Sequence, residues 1–232
     1  MIRVAGIVLC GGQSRRMGRP KAWLPFGPET LLQRVVRLVS IAADPVIVVA
    51  AVDQDLPPLP ADVQIARDQR DQAGPLEGLR AGLAAMAIHQ PASSVNGPDN
   101  GLVESQSGAS LVEAVFATAC DTPLIRPELI GFLASQLGTH DAVVPFDGNY
   151  FHPLTAVYRL TSWIRIETLL AQGESRLSAV CEQLDTLALP IDQMQIIDPQ
   201  LESLLNINHP EQYENLQKRF PLSRQSRQTG QD

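Results

Sequence analysis

Apolar residues fall along this chain in short blocks separated by polar turns. Residues 4–9, 45–51 and 112–119 are apolar almost without interruption, with no alternation of polar positions. Blocks of that kind read as strands buried on both faces of a parallel sheet. They predict strands over residues 3–9, 45–51 and 112–119, with shorter ones at 63–66 and 141–145. Between them the period changes to that of a helix. Leu32, Val35, Val36 and Val39 share one face of a helix over residues 31–41, with Thr30 as its cap. Further helices are expected over 74–88, where Pro75 sits near the first turn, over 127–136, and over 210–218. Asp147-Gly148-Asn149 marks a turn after which residues 151–158 return as a strand. Strands alternating with helices predict an α/β, Rossmann-like three-layer fold with a mostly parallel sheet.

Two segments break the pattern. Residues 91–110 are rich in Ser, Gly, Asn and Gln without period and read as a mobile surface insertion. Residues 220–232 are polar and read as a disordered tail. What remains, residues 1–219, is expected to form one domain, and 44% hydrophobic content over 232 residues is enough for its core.

Charge narrows the function. The net charge of -7 argues against a general nucleic-acid binder, and 5% aromatic content leaves no stacking platform for single strands. No apolar run approaches the length of a membrane span, so no membrane partner is expected. Three scattered cysteines, Cys10, Cys120 and Cys181, fit neither a disulfide framework nor a zinc site. An odd count without a secretory leader leads to the expectation of a cytoplasmic protein.

Against that acidic background stands one basic loop. Leu9-Cys10-Gly11-Gly12-Gln13-Ser14-Arg15-Arg16-Met17-Gly18-Arg19-Pro20-Lys21 follows directly on the first predicted strand. Glycines bring backbone N–H groups close to an anion, and arginine and lysine add the charge that phosphate oxygens need. The spacing is neither that of a P-loop nor that of the dinucleotide fingerprint. It points to a nucleotide-phosphate site that focuses a small anionic ligand.

The carboxylates complete the pattern. Asp121, in Cys120-Asp121-Thr122-Pro123, follows the fourth predicted strand at the rim where open α/β sheets bind ligands. A carboxylate there can hold Mg²⁺ against phosphate oxygens. Asp68 closes the third strand and faces the same rim, with Asp71 as a competing candidate for a base or ribose contact. Gly74, Pro75 and Leu76 open a helix and offer free N–H groups and a flat apolar side chain to a base.

The loop, Gly74-Pro75-Leu76-Glu77-Gly78-Leu79, Cys120-Asp121-Thr122-Pro123, His152-Pro153-Leu154, Gly173-Glu174-Ser175-Arg176 and Asn206-Ile207-Asn208-His209-Pro210-Glu211 follow one another in an order that resembles the molybdenum cofactor guanylyltransferases. The resemblance runs from residue 4 to about residue 216. It implies the nucleotidyltransferase fold and transfer of GMP from GTP to the phosphate of molybdopterin, with pyrophosphate as coproduct and Mg²⁺ as cofactor. By the family pattern Leu9, Cys10, Gly11 and Gly12 meet GTP. Lys21 meets its phosphates, Asp68 its base or ribose, and Asp121 both GTP and metal. Arg15 and Arg16 join Lys21 and Asp121 as catalytic candidates on charge grounds. His152, Arg176 and Asn208 are candidates for the acceptor, with a packed turn histidine and a surface pair of Arg176 with Glu174 as the plainer roles of the first two. Hand-off to molybdoenzymes or their chaperones is a further implication of the resemblance.

Four positions depart from the family. Cys10 stands where Ala is usual, and Glu77 places a carboxylate near the base site. No Asn follows the second strand, so one contact to GTP is missing or supplied elsewhere. His209 replaces a capping Thr, which leaves Asn208 as the expected cap of the last helix. Cytidylyl relatives usually carry Ala-Gly where this chain has Gly11-Gly12, which favours GTP. A cytidylyl or sugar-1-phosphate transferase and a non-catalytic nucleotide-binding protein are the competing readings.

Overall fold

The computed structural model describes residues 2–11, 18–68, 74–88 and 111–220. Nine strands and six α-helices follow in the order β1 (Val4–Leu9), β2 (Pro25–Phe26), β3 (Glu29–Thr30), α1 (Leu31–Ser40), β4 (Val46–Ala51), β5 (Gln64–Asp68), α2 (Gly74–Ile88), β6 (Ala114–Ala119), α3 (Pro127–Ser135), β7 (Ala142–Phe146), β8 (Thr155–Arg159), α4 (Trp163–Ala171), α5 (Leu177–Gln183), β9 (Thr186–Pro190) and α6 (Pro210–Arg219), among the described residues. Seven strands form one sheet in the order β5-β4-β1-β6-β8-β7-β9. All its pairings are parallel except those of β8, which runs against both β6 and β7. The expected α/β, Rossmann-like, mostly parallel architecture is the one observed.

Strand alternation explains the layers. Along β1, Val4 and Val8 point to one face and Ala5, Ile7 and Leu9 to the other. The first face carries α1 and α3, and the second carries α2, α4 and α5. Every residue of β1 is buried, so this strand is the axis of the domain. Two glycines let helices approach it. A Cβ on Gly6 would lie 2.4 Å from Val39 Cγ1 of α1, and one on Gly82 of α2 would lie 2.7 Å from Ile7 Cδ1. A third, smaller cluster joins Leu24, Phe26 and Leu31 to Leu124, Ile207 and Leu216.

Most expected elements are present with ends shifted by a few residues. Thr30 caps α1 through a reciprocal box: it accepts from Gln33 N at 3.3 Å while Gln33 Oε1 accepts from Thr30 N at 2.9 Å. The turn after β7 is an Asx turn, in which Asp147 Oδ1 accepts from Asn149 N at 2.8 Å and from Tyr150 N at 2.7 Å. Those two bonds hold the Asp147 carboxyl below its usual range. The segment returning from this turn is straight only over β8, with a single bridge between Phe146 and Phe151 before it. Helices α4 and α5 and the edge strand β9 were not anticipated. The expected insertion at 91–110 and the tail beyond residue 220 lie outside the described residues. Among the described residues no helix is long and apolar enough to cross a membrane.

Gly6→Ala is expected to lower the unfolding free energy by about 1–3 kcal/mol through overpacking against α1. Urea unfolding would show a lower midpoint at unchanged slope. An unchanged midpoint would mean that α1 can move off the central strand without cost.

Candidate active site

Parallel strands β5, β4, β1 and β6 end on one rim, and the strand order reverses between β1 and β6. That crevice is where a doubly wound sheet accepts a ligand. Leu9, Cys10 and Gly11 leave β1 there, Asp68 ends β5, and Cys120 and Asp121 leave β6. Gly12, Arg15, Arg16 and Asp71, also candidates, lie outside the described residues.

Three segments distant in sequence meet at this rim. Lys21, in a single 3₁₀ turn, donates through Nζ to Asp121 Oδ2 at 2.6 Å and to Asn208 Oδ1 at 2.9 Å. The Lys21 and Asp121 side chains keep only 18% and 13% of their exposure. Water therefore screens their attraction less than at an open surface. The small third core cluster makes the meeting possible. Leu24 and Phe26 follow Lys21, Leu124 follows Asp121, and Ile207 precedes Asn208. Ile207 N donates to the Asp121 carbonyl at 2.9 Å, and Arg34 Nε donates to the Pro123 carbonyl at 2.7 Å. The Arg34 guanidinium also stands 4.4 Å from the centre of the Phe26 ring.

Beneath Asp121 the turn is held by hydroxyls. Thr122 Oγ1 donates to the Ala119 carbonyl at 2.6 Å, which leaves it to accept from Thr118 Oγ1 at 2.8 Å. Both threonines are buried, so this relay fixes the turn from which the aspartate projects. Asp121 Oδ1 is buried and has no hydrogen-bond partner among the described residues. A buried carboxylate oxygen without a donor is costly unless a cation or a donor reaches it, and that fits a divalent metal brought in with a ligand. No group of three or more His, Cys, Asp or Glu that could hold a metal occurs among the described residues. Phosphate oxygens and water would have to complete the coordination, as is usual for Mg²⁺.

Asn208 does not cap α6. Its side chain is taken by Lys21, and Gln212 Oε1 instead accepts from Asn208 N at 2.7 Å and from His209 N at 3.0 Å. His209 occupies the cap position itself. A glutamine three residues into a helix is a recognised capping partner, and its presence was legible but unused.

Beyond β4 a polar side chain, Gln54, folds back onto the strand ends. Its Nε2 donates to the Cys10 carbonyl at 2.9 Å and its Oε1 accepts from Ala51 N at 3.2 Å. Arg67 Nη1 donates to the carbonyls of Ala51 and Gln54 at 2.9 and 2.8 Å. Gln54 lies three residues beyond the strand and was not singled out from the sequence.

The remaining candidates have local partners. Glu77 is fully buried and takes Arg80 in a bidentate pair, Nη2–Oε1 2.6 Å and Nε–Oε2 2.9 Å, so its charge is neutralised inside α2. That bond raises the pKa of Arg80, and Asp68 adds to the same effect from the end of β5. Gly74 has φ +79°, and a Cβ there would lie 3.4 Å from the Ser175 carbonyl. Ser175 thereby lies close against Gly74 at the start of α2. Arg176 itself pairs with Glu174, Nη2–Oε2 2.7 Å, and together with backbone N–H bonds this pulls the Glu174 carboxyl down to about 2. His152 stands 3.4 Å from Asp147 Oδ2 at the hairpin turn. Arg176 and His152 thus each have an acidic side chain beside them.

The neighbouring Cys10 thiol, together with burial, pushes the Cys120 thiol up.

Comparison with known proteins adds the family. Residues 6–188 match the MobA-like NTP transferase domain. A probable molybdenum cofactor guanylyltransferase of Mycobacterium tuberculosis is 38% identical over 192 residues, covering 81% of this chain and 84% of that protein. One of Mycobacterium marinum is 36% identical over 189 residues, covering 80% and 82%. The solved structure of molybdopterin-guanine dinucleotide biosynthesis protein A from Archaeoglobus fulgidus superposes with a TM-score of 0.69 at 20% identity, over 92% of this chain and 97% of that one. The 2-C-methyl-D-erythritol 4-phosphate cytidylyltransferase of Thermus thermophilus gives 0.60 at 13% identity, over 91% and 96%. These two structures share the fold.

Thr122→Val is expected to cost about 1–3 kcal/mol of unfolding free energy, because it leaves the buried Thr118 hydroxyl without an acceptor. Adding Thr118→Val is expected to cost less than the sum of the two single changes, as read in a double-mutant cycle. Strict additivity would mean that the two hydroxyls do not act as a relay.

Proposed function

The chain belongs to the MobA-like NTP transferase family and is a nucleotidyltransferase, and from that premise we propose that it transfers GMP from GTP to molybdopterin. The products are the guanine dinucleotide form of the cofactor and pyrophosphate. The observation that carries this reading is the convergence of Lys21, Asp121 and Asn208 at the crevice between β1 and β6. It is supported by the names and extent of the curated relatives.

A phosphate oxygen of the acceptor attacks the α-phosphorus of GTP in line. The new P–O bond forms as the bond from the α-phosphorus to the bridging oxygen breaks, and pyrophosphate leaves with that oxygen. Little covalent chemistry is asked of the protein, and positioning with charge neutralisation accounts for the rate. The acceptor phosphate is ionised at neutral pH, so no general base is required. Lys21 exchanges its contact with Asp121 for the GTP phosphates, and Arg15 and Arg16 add charge from the same loop. Leu9, Cys10, Gly11 and Gly12 line the nucleotide through their backbone, with Gln54 holding the Cys10 carbonyl in place. Asp68, Gly74, Pro75 and Leu76 take the base and ribose. His152, Arg176 and Asn208 face the acceptor. Asp121 holds Mg²⁺, which when bound offsets charge on the phosphates. The product is passed to molybdoenzymes or their chaperones, in the cytoplasm.

The test is pyrophosphate release from purified protein with Mg²⁺, molybdopterin and either GTP or CTP. Release with GTP alone is expected, and release with CTP alone would overturn the assignment of the base. Lys21→Ala and Asp121→Ala are each expected to lower turnover by about 10²–10³-fold with the fold retained. Near-normal turnover in both would overturn the placement of the site.

A further inference from the structure

We propose that Cys10 and Cys120 are a modification site: a dithiol that a peroxide or a small disulfide oxidises to an intrachain disulfide, closing the nucleotide site. Leu9 and Ala119 are partners in the parallel ladder, and Cys120 N donates to the Leu9 carbonyl at 2.9 Å. The two cysteines therefore stand one step beyond a register pair. Parallel neighbours are about 4.8 Å apart, within the range of about 4.4–6.8 Å between Cα atoms that a disulfide spans. Both side chains lie in the same core cluster, on the face that carries α1 and α3. Gln54 Nε2 approaches Cys10 Sγ at 3.4 Å and completes the surroundings of that sulfur. Cys181 lies in α5 on the opposite face of the sheet and provides an internal control.

The chemistry balances with either oxidant. With hydrogen peroxide one thiol becomes a sulfenic acid and releases water. The second thiol then displaces the hydroxyl, giving the disulfide and a second water. With a small disulfide, a mixed disulfide forms first and two small thiols leave in turn. In both cases the protein gives up two hydrogens and two electrons. The new bond is about 2.05 Å long, so the two sulfurs must move together to form it. One sits directly before Gly11 and the other directly before Asp121. Cys10 is pulled away from Gln54, so its carbonyl loses the orientation the nucleotide site depends on. In a reducing compartment such a bond is transient and acts as a sensor.

The test treats the full chain with hydrogen peroxide, and separately with glutathione disulfide, then unfolds and alkylates it for peptide mapping. The expected result is a Cys10–Cys120 cross-link within one chain, with Cys181 alkylated before and after oxidation. Cys181→Ser should form the same cross-link and Cys120→Ser none. Affinity for a fluorescent GTP analogue is expected to fall by about ten-fold or more and to return with dithiothreitol. Alkylation of both Cys10 and Cys120 after oxidation, or cross-links only between chains, would overturn the proposal. A disulfide that leaves GTP affinity unchanged would overturn its effect on the site. The cross-link is read without nucleotide, so failure of the reduced protein to bind GTP would count against the guanylyltransferase reading alone.

Discussion

The contact between the Lys21 ammonium and the Asp121 carboxylate, 2.6 Å across a sequence separation of 100 residues, is the interaction on which the site depends. Neither charge could be withdrawn from water to this degree without the other. Their meeting requires the segment after β1, the turn after β6 and the approach to α6 to be packed together, which the cluster around Phe26, Leu124 and Ile207 does. The pair also explains how one place can receive two anions. Lys21 brings a charge that phosphate attracts, whereas Asp121 repels phosphate until a divalent cation reverses its sign. Its unpartnered Oδ1 is the place where such a cation changes the local field most.

Around this pair the fold supplies rigidity where the chemistry needs it. Asp198, fully buried, accepts from Ser203 N at 2.7 Å and stands 3.3 Å from Arg126 Nε. Arg126 N in turn donates to Ser203 Oγ at 3.1 Å. The start of α3, just after the Asp121 turn, is thus tied to the irregular segment that leads to Asn208. The Thr118–Thr122 relay fixes the same turn from beneath. Asp121 is held from two directions, while Lys21, on a single 3₁₀ turn, keeps a long flexible stem that can change partners.

The central half of the sheet was legible because its strands are buried on both faces and therefore apolar throughout, as β1 and β4 are. Helix α1 was legible from its apolar stripe and its cap. Residues 160–205 were not, for a physical reason. Helix α5 has 7 residues, too few for a clear period, and β9 is an edge strand with only one buried position and a proline at its end. Lys21, Asp121 and Asn208 were each legible from local motifs, but not the bonds among them, since nothing in a local motif specifies a partner 187 residues away. The Gln54 contacts were not legible because a side chain folding back onto the backbone leaves no periodic trace.

The net charge of -7 does not make the site repel an anion, and the pairings near it say why. Glu77 is neutralised by Arg80, Asp121 by Lys21 and Glu174 by Arg176, and Asp68 lies in the field of Arg80. Because fields from exposed charges decay over about 8 Å at physiological ionic strength, an approaching polyphosphate responds to this local balance more than to the total. Among the described residues, Asp121, Glu77 and Glu174 are each answered within their own segment or by a neighbour across the crevice.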